Sequence, residues 1–393
     1  MIARLPFQHV CKALMVACAS LLAVGSPAEA LDTSAKQAII VDYQTGTVLF
    51  EKNADEPVHP ASMSKLMTLY VLFERLKSGM LSLDDEFLVS QNAWALNEGS
   101  TMFVDIGERL RVEDLIRGII VQSGNDACLV VAEGISGTEQ AFAELMNEKA
   151  KEIGLTNSHF VNSHGLEHPE HLMTVRDLAT LSKRLISEFP EYYHYFSERE
   201  FVHNGIKQGN RNPLLYRDMG VDGLKTGHLS VSGYGLAASA ERNNRRVILV
   251  AHGMESMQQR ADESAALIEW AFREFDNFTI AKAGQTLEEA PVWYGREDTV
   301  PLVVEQDVVA TLPRAARKSV EVKAVFNGPI PAPIQKGQQI GKLVISAAEI
   351  SPIEVPIYAG ADVERLGMFG RVAAALKHLL FGGTAEATGE AGA

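Results

Sequence analysis

The chain has 393 residues, of which 46% are hydrophobic and 22% are charged, with Gly and Pro at ordinary levels. This length accommodates two or three domains, and the composition is that of a globular protein with a sizeable core. The formal net charge of −14 is offset by no basic patch, which excludes nucleic acid as a partner.

The N-terminus has the pattern of a secretory signal peptide over residues 1–30. Arg4 and Lys12 provide a positive region, and an apolar run follows from Ala13 to Val24. Ala28-Glu29-Ala30 then offers the small-residue cleavage site of such signals. The apolar run is too short to span a bilayer, so a retained anchor is the weaker alternative.

Cleavage after this segment leaves Cys128 as the single thiol, because the other two cysteines lie within residues 1–30. The mature chain therefore cannot form an intramolecular disulfide. Cys128 lies in an apolar run, which predicts a buried residue that behaves as a small hydrophobe.

Apolar periodicity and turn residues predict an α+β domain over residues 31–275. The predicted elements are a β-hairpin over 38–52, a helix after Pro60 that ends at Gly79, a helical stretch over 112–190, a strand near 221–225, a second hairpin formed by 235–240 and 246–252, and a helix over 261–275. Sheet elements at both ends of a helical middle are typical of this fold class.

Short β-branched runs separated by Pro and Gly predict a small all-β domain over residues 279–358. Residues 363–381 then carry apolar side chains at helical spacing, with basic residues between them. This amphipathic pattern favours a helix that lies in a membrane interface. The alternative is a helix that packs on the β domain. Residues 382–393 are predicted to be disordered.

Three motifs indicate the chemistry: Ser62-Met63-Ser64-Lys65 at a helix start, Ser123-Gly124-Asn125 on a loop, and Lys225-Thr226-Gly227 on a strand. A lone Ser-x-x-Lys is common by chance, and an isolated copy is more often a capped helix with a solvated lysine. In this order, however, the three motifs describe a penicillin-recognising serine acyl-transfer site.

Ser62 needs an adjacent base, because an alcohol is a poor nucleophile at neutral pH. Lys65 is three positions along the same helix and lies on one face with Ser62, whereas Ser64 points elsewhere. A lysine can act as the base only when its pKa is lowered from about 10.4. Burial, the positive helix N-terminus and the second cation Lys225 all predict such a lowering.

The other two motifs have matching roles in this interpretation. Ser123 relays a proton to the leaving amine and Asn125 binds the substrate amide, although either side chain could merely cap the following helix. Lys225 and the Thr226 hydroxyl bind a substrate carboxylate, and Gly227 leaves room for a peptide that pairs with the strand edge. The alternative for Lys225 is a surface lysine before a turn.

With these motifs the chain resembles the low-molecular-mass penicillin-binding proteins, the serine-type D-alanyl-D-alanine carboxypeptidases of Gram-negative bacteria. Further local matches are Gln122–Ala127, His164-Gly165-Leu166, Asn210-Arg211-Asn212 and Asp222–His228. The resemblance implies the fold that these peptidases share with β-lactamases, an antiparallel sheet plus a helical subdomain, followed by a small all-β domain.

The resemblance also implies a mechanism. Ser62 is acylated by the penultimate D-Ala of a peptidoglycan pentapeptide stem, which releases the terminal D-Ala, and β-lactams acylate the same serine. Lys65 is the implied base, and the backbone N–H groups of Ser62 and His228 are the implied oxyanion hole. Arg211 and Arg260 match arginines near the site. Water then hydrolyses the acyl-enzyme, aided by residues 94–102.

From the same resemblance we expect no cofactor and a role in peptidoglycan maturation and cell shape. It implies a periplasmic enzyme that is peripherally attached to the outer face of the inner membrane through its C-terminal helix.

Three other functions compete with a carboxypeptidase. A class A β-lactamase needs a Glu-x-x-Leu-Asn motif downstream of Ser123, but the nearby Leu96-Asn97 lies upstream and has Ala93 at the glutamate position. A transpeptidase or endopeptidase uses the same acyl-enzyme, and the short chain without a glycosyltransferase domain favours hydrolysis instead. A non-enzymatic scaffold is disfavoured by the intact motifs.

A metal site is not predicted. His164, His168 and His171 are close in sequence, but Gly165 and Pro169 break any helix that could align them on zinc. Thr174 to Asp177 precede an apolar run and predict a helix cap instead of a catalytic dyad.

Overall fold

The computed structural model of the protein describes residues 31–347 and 351–372. The predicted signal peptide, the predicted tail over 382–393 and residues 373–381 of the predicted terminal helix lie outside the described residues. Within the described ranges, no helix combines the length and apolar character that crossing a membrane requires.

Eight α-helices precede residue 275, further helical residues begin at Met368, and strands occur throughout the described part of the chain. The helices are α1 (Lys65–Lys77), α2 (Gln91–Ala95), α3 (Val112–Arg117), α4 (Asn125–Ser136), α5 (Glu139–Glu152), α6 (Val175–Glu188), α7 (Pro190–Tyr193) and α8 (Met257–Glu274). The strands of the same part are β1 (Gln37–Asp42), β2 (Val48–Lys52), β3 (Glu86–Leu88), β4 (Arg109–Arg111), β5 (Glu200–His203), β6 (Ile206–Gly209), β7 (Val221–Leu229), β8 (Gly233–Arg242) and β9 (Arg245–Met254). The strands that follow α8 are β10 (Phe275–Ala281), β11 (Thr286–Trp293), β12 (Thr299–Val303), β13 (Val308–Pro313), β14 (Glu321–Phe326), β15 (Ile330–Pro331), β16 (Gln339–Ser346) and β17 (Ile353–Ala359).

A five-stranded antiparallel sheet in the order β2-β1-β9-β8-β7 forms the frame of the first part of the chain. Both predicted hairpins are confirmed. The β8–β9 turn places Asn243 and Asn244 at φ +50 and +61, the left-handed conformation that tight hairpins require. The sheet and the helices around it confirm the predicted α+β class. Strand β7 lies at the edge of this sheet.

Helix α1 is enclosed by other elements. Every residue from Lys65 to Phe73 is buried, and α1 contacts α4, α5 and α6. Gly79, at φ +73, follows its C-terminal end as predicted. Because a helix buried on all faces cannot shift without disrupting the core, the N-terminal end of α1 is a rigid position for a catalytic group.

A buried ion pair ties the sheet to the strands that follow α8. Arg245 donates to Asp42 at 3.0 Å, and both side chains are almost fully buried. Arg245 also donates to the carbonyl of Phe275 at 2.8 Å, while Asn277 donates to Asp42 at 3.2 Å. These bonds hold the junction between α8 and β10 against the sheet. Removing one partner would leave a buried charge unpaired, which is strongly destabilising.

The C-terminal β region (275–363) contains a six-stranded sheet in the order β14-β16-β17-β12-β11-β15 and the pair β10-β13. Its core is aliphatic and separate from the core around α1. The first strand, β10, begins at Phe275, four residues before the predicted start at 279, because its first residues pair with β13. Strands β11 and β17 were not among the predicted runs.

The predicted terminal helix begins later than expected. Val363 is buried in the core of the β region and forms a bridge with Ile334, while Arg365 forms a bridge with Gly295. Residues 363–367 are therefore extended, and helical residues start at Met368. The predicted start at Val363 was wrong, because its side chain completes the β core instead of an amphipathic stripe.

Candidate active site

Ser62 lies in a single turn of 3₁₀ helix, Ala61–Ser64, that leads directly into α1. Ala61 adopts φ +52, which is unfavourable for a residue with a Cβ and turns the chain sharply before the serine. The Ser64 hydroxyl donates to the Ala61 carbonyl at 2.9 Å and is buried. Ser64 therefore points away from Ser62, as predicted.

Lys65 is fully buried and its Nζ contacts three oxygen atoms. These are Ser62 Oγ at 2.8 Å, Asn125 Oδ1 at 2.7 Å and the backbone carbonyl of His164. An amide oxygen and a carbonyl can only accept hydrogen bonds. When Lys65 is neutral, its two N–H groups satisfy those two acceptors, and its lone pair is left facing the serine hydroxyl.

The pKa of Lys65 is lowered to about 8, mainly by burial and to a smaller extent by the positive charge of Arg211. The direction confirms the prediction that this lysine can lose its proton near neutral pH. The main cause is desolvation of the ammonium group, because the Lys65 side chain is fully buried.

Lys225 projects from β7 into the same cleft and is 2% exposed. Its Nζ donates to Ser123 Oγ at 2.9 Å and to the Thr226 carbonyl at 3.2 Å. Burial, followed by repulsion from Lys65, holds the pKa of Lys225 well below its usual range. Lys225 is thus not a surface lysine, and the two buried amines disfavour being charged together.

Ser123 occupies the junction between Gly118–Gln122, a turn of π-helix, and α4. Its φ of +64 is left-handed, and its side chain is buried. This backbone conformation ends one helix and directs the hydroxyl towards Lys225. The hydroxyl makes no cap to α4, since Gly124 occupies the N-cap position without a side-chain bond.

Asn125 connects the lysine to the opposite wall of the cleft. Its Nδ2 donates to the Glu98 carbonyl at 2.8 Å, and its backbone N–H donates to the Ser100 carbonyl at 2.7 Å. The side-chain oxygen accepts from Lys65. Asn125 therefore orients the amine, a contact that the sequence did not predict; its predicted contact with a substrate amide stays a prediction.

Gly227 has a different purpose from the predicted one. A Cβ built on Gly227 would lie 2.7 Å from the Pro60 carbonyl and 3.1 Å from the Ala61 Cβ. The missing side chain therefore makes room for the turn that carries Ser62, not for a substrate peptide. The prediction of an edge position is confirmed, since β7 is the last strand of its sheet.

A cleft of about 520 Å³ opens above these groups. Its lining includes Ser62, Ser123, Arg211, Thr226, His228 and Arg260. The His228 ring stacks on Tyr234 with centroids 3.9 Å apart. All of the predicted site residues lie in this cleft or directly beneath it.

The two arginines give the cleft its positive charge. Arg211 donates to the Ser100 hydroxyl. Arg260 is 7% exposed, lies 5.7 Å from the Tyr234 ring, and has an Nε without a hydrogen-bond partner among the described residues. Burial lowers the pKa of Arg260 to about 10, so it remains charged at neutral pH. An anionic group entering the cleft would meet both cations.

Asp126 is a functional residue that sequence reasoning did not single out. Its buried carboxylate accepts the backbone N–H of Met102 at 2.8 and 2.9 Å, and those of Phe103 at 3.0 Å and Ala127 at 2.8 Å. Asp126 thereby fixes the backbone at Met102 and Phe103. The residues just before them, Glu98 and Ser100, accept hydrogen bonds from Asn125. The only signal was its position inside the matched Gln122–Ala127 run.

The remaining candidates behave as buried structural groups. Burial lowers the pKa values of His164 and His171 to about 3, so both rings are neutral. Residues 31–347 and 351–372 contain no cluster of three metal-ligating side chains. The Thr174 hydroxyl accepts from the Asp177 N–H as a helix cap, as predicted. Cys128 is buried, as predicted, and burial raises the pKa of its thiol to about 12.

Comparison with protein families assigns most of the chain. Residues 24–256 match the Peptidase S11 family, D-alanyl-D-alanine carboxypeptidase, and residues 275–365 match the penicillin-binding protein 5 C-terminal domain. The D-alanyl-D-alanine carboxypeptidase DacC of Escherichia coli is 39% identical over 351 residues, which are 88% of each chain.

Solved structures give the same result. Penicillin-binding protein 5 of Haemophilus influenzae has a TM-score of 0.78 and 36% identity, and the match covers 85% of this chain and 99% of that one. Penicillin-binding protein 6B of Escherichia coli has a TM-score of 0.71 and 34% identity over 85% of this chain and 97% of that one.

The pKa of Lys65 predicts how acylation depends on pH. Only the neutral amine can accept the Ser62 proton, so the second-order rate of acylation by benzylpenicillin should rise with pH and level off above about 8. Lys65→Arg retains a charge that cannot be lost in this range, and should lower the rate at least about a hundredfold at every pH. A flat profile for the wild type between about pH 6 and 9 would contradict this assignment.

Asp126→Asn should loosen the clamped segment. An amide presents one acceptor oxygen, and its NH₂ group would face backbone donors. Because Ser62 and Lys65 keep their contacts, we expect acylation to change little while the acyl-enzyme lives about tenfold longer or more. The half-life of a fluorescent penicilloyl adduct measures this, with Asp105→Asn in the same segment as the control. An unchanged half-life in a folded Asp126→Asn variant would rule the role out.

Proposed function

The chain belongs to the Peptidase S11 family of D-alanyl-D-alanine carboxypeptidases, and we propose that Ser62 is the nucleophile with which this enzyme removes the terminal D-Ala from peptidoglycan pentapeptide stems. The observation that supports this role most strongly is the 2.8 Å contact between Lys65 Nζ and Ser62 Oγ. As in penicillin-binding proteins generally, β-lactams would acylate the same serine.

Lys65 is the general base for acylation. Its lone pair receives the Ser62 proton as Oγ attacks the carbonyl carbon of the penultimate D-Ala. The backbone N–H groups of Ser62 and His228 bind the oxygen that becomes negative, a contribution that typically changes the rate about a hundredfold or more. Asn125 holds the amine in the required direction through its 2.7 Å contact.

Ser123 and Lys225 handle the leaving group. The Ser123 hydroxyl gives its proton to the amide nitrogen as the C–N bond breaks, and Lys225, 2.9 Å from Ser123 Oγ, restores it. The products of this step are free D-Ala and the Ser62 ester. Water then attacks the ester, with the segment around residues 94–102 positioning it.

The substrate carboxylate is the feature that the cationic side of the cleft recognises. Thr226, Arg211 and Arg260 line the cleft, and Lys225 lies beneath it, in contact with Ser123. A bound carboxylate would favour the charged form of Lys225, and repulsion from that charge would favour the neutral form of Lys65. Substrate binding would thus help to prepare the base.

Hydrolysis rather than transfer is the outcome that we assign to the acyl-enzyme. The Escherichia coli D-alanyl-D-alanine carboxypeptidase DacC covers 88% of this chain at 39% identity, whereas an Escherichia coli D-alanyl-D-alanine endopeptidase matches 58% of this chain at 29% identity. Incubation with diacetyl-Lys-D-Ala-D-Ala and a D-amino acid acceptor separates the two reactions, because a transpeptidase would exchange the terminal residue.

Replacing the nucleophile tests the assignment. Ser62→Ala should lower D-Ala release from diacetyl-Lys-D-Ala-D-Ala by at least about a thousandfold and abolish labelling by a fluorescent penicillin. Ser64→Ala removes the other hydroxyl of the motif and should keep both activities. Undiminished labelling of Ser62→Ala would show that another residue is acylated.

We further propose that the protein is exported after cleavage at residue 30 and attaches to the periplasmic face of the inner membrane. The amphipathic pattern that continues to Leu380 supports this attachment, because apolar side chains with interspersed basic residues suit a lipid headgroup region. The division into a catalytic domain over 31–275, a β domain over 279–358 and a membrane helix accords with this arrangement.

Acidic residues on the apolar stripe should abolish attachment. The double variant Leu376→Asp with Leu380→Asp should lose co-sedimentation with phosphatidylglycerol-containing vesicles but keep D-Ala release, since the cleft is untouched. Thr384→Asp with Thr388→Asp adds the same charge beyond the stripe and should still sediment. Equal sedimentation of the two double variants would count against the stripe as the anchor.

A further inference from the structure

The end of the C-terminal β region carries a surface that the peptidase chemistry does not use. It combines residues 293–296, which follow β11, with residues 364–372, and we call it the tip surface. The Leu366 N–H donates to the Tyr294 carbonyl at 2.8 Å, and the Arg296 N–H donates to the Glu364 carbonyl at 2.8 Å. The two segments are therefore held together by their backbones.

The tip surface concentrates exposed apolar side chains. Trp293 is 41% exposed, Met368 66%, Phe369 85% and Val372 56%. The rings of Trp293 and Tyr294 are stacked with centroids 4.8 Å apart. Single exposed apolar residues are ordinary on protein surfaces, but a group of this kind marks an interaction surface.

We propose that the tip surface is a second membrane-contact site, which inserts Trp293 and Tyr294 into the phospholipid headgroup region beside the terminal helix. The inference rests on the proposed membrane attachment and adds a contact made by the folded β region itself. Trp and Tyr favour this environment because an apolar ring and a polar N–H or O–H group suit an interface that is apolar on one side.

Chain connectivity favours a membrane over a protein partner. Helical residues begin at Met368, two residues after the Leu366 backbone bond, so no flexible linker separates the tip surface from the helix. The apolar stripe then continues through Leu376 and Leu380. A bilayer that binds Met368, Phe369 and Val372 would therefore lie close to Trp293.

A cation at the helix start adds a match to lipid phosphate. Arg371 is partly exposed, and its positive charge beside these apolar side chains would attract the phosphate of an anionic headgroup. With both the tip surface and the terminal helix bound, the β region would keep one orientation relative to the membrane.

Brominated lipids test the proposal directly, because bromine quenches only tryptophans that enter the bilayer interface. The mature protein is bound to phosphatidylethanolamine–phosphatidylglycerol vesicles with brominated acyl chains. We expect quenching for the wild type, its loss in Trp293→Phe, and its retention in Trp94→Phe. Trp293→Ser should weaken vesicle affinity roughly five- to tenfold. Val325→Ser, at another exposed apolar position of the β region, should not.

The possible results separate the two proposals. If the wild type fails to bind vesicles, both the proposed attachment and the tip contact are overturned. If the wild type and Trp293→Phe bind and are quenched equally, the tip contact alone is wrong. Penicillin labelling would reveal whether Trp293→Ser folds poorly. Trp293→Phe is conservative, so its quenching decides in either case whether Trp293 enters the bilayer interface.

Discussion

The structure depends on one arrangement above all others, a buried lysine amine with two fixed acceptors and a serine hydroxyl. Asn125 Oδ1 and the His164 carbonyl can only accept, so they orient the amine of Lys65 in either protonation state. Burial then makes the neutral state accessible. In that state the remaining lone pair faces Ser62 Oγ, 2.8 Å away. The surroundings of Lys65 thus provide the properties that its proposed role as the base requires.

The rest of the fold keeps these side chains rigid and the two amines buried. Helix α1 is buried among α4, α5 and α6, and the absence of a side chain at Gly227 allows β7 to approach the turn that bears Ser62. Asp126 clamps the segment that covers Asn125. Lys225 enters from the edge strand as a second buried amine, and repulsion between it and Lys65 couples the protonation of the two. In the proposed mechanism, a carboxylate bound near Lys225 would therefore influence the base.

The sequence predicted which side chains come together better than it predicted the contacts that tune them. Ser62 lies beside Lys65, and Ser123 beside Lys225, as their local motifs predicted, and the hairpins and α1 followed from periodicity. The Lys65–Asn125 and Lys65–His164 contacts join segments far apart in the chain, so no local pattern contains them. The space at Gly227 and the extended path at Val363 were misjudged for the same reason, because packing partners from other elements decide both.

The protonation of the buried amine can be observed without relying on turnover. Lysine labelled with ¹³C at Cε gives one NMR signal per residue, and the signal absent from a Lys65→Met variant belongs to Lys65. The account predicts that this signal titrates with a pKa of about 8 in the free enzyme. A midpoint near the usual lysine value of about 10.4 would mean that Lys65 stays charged and cannot be the base.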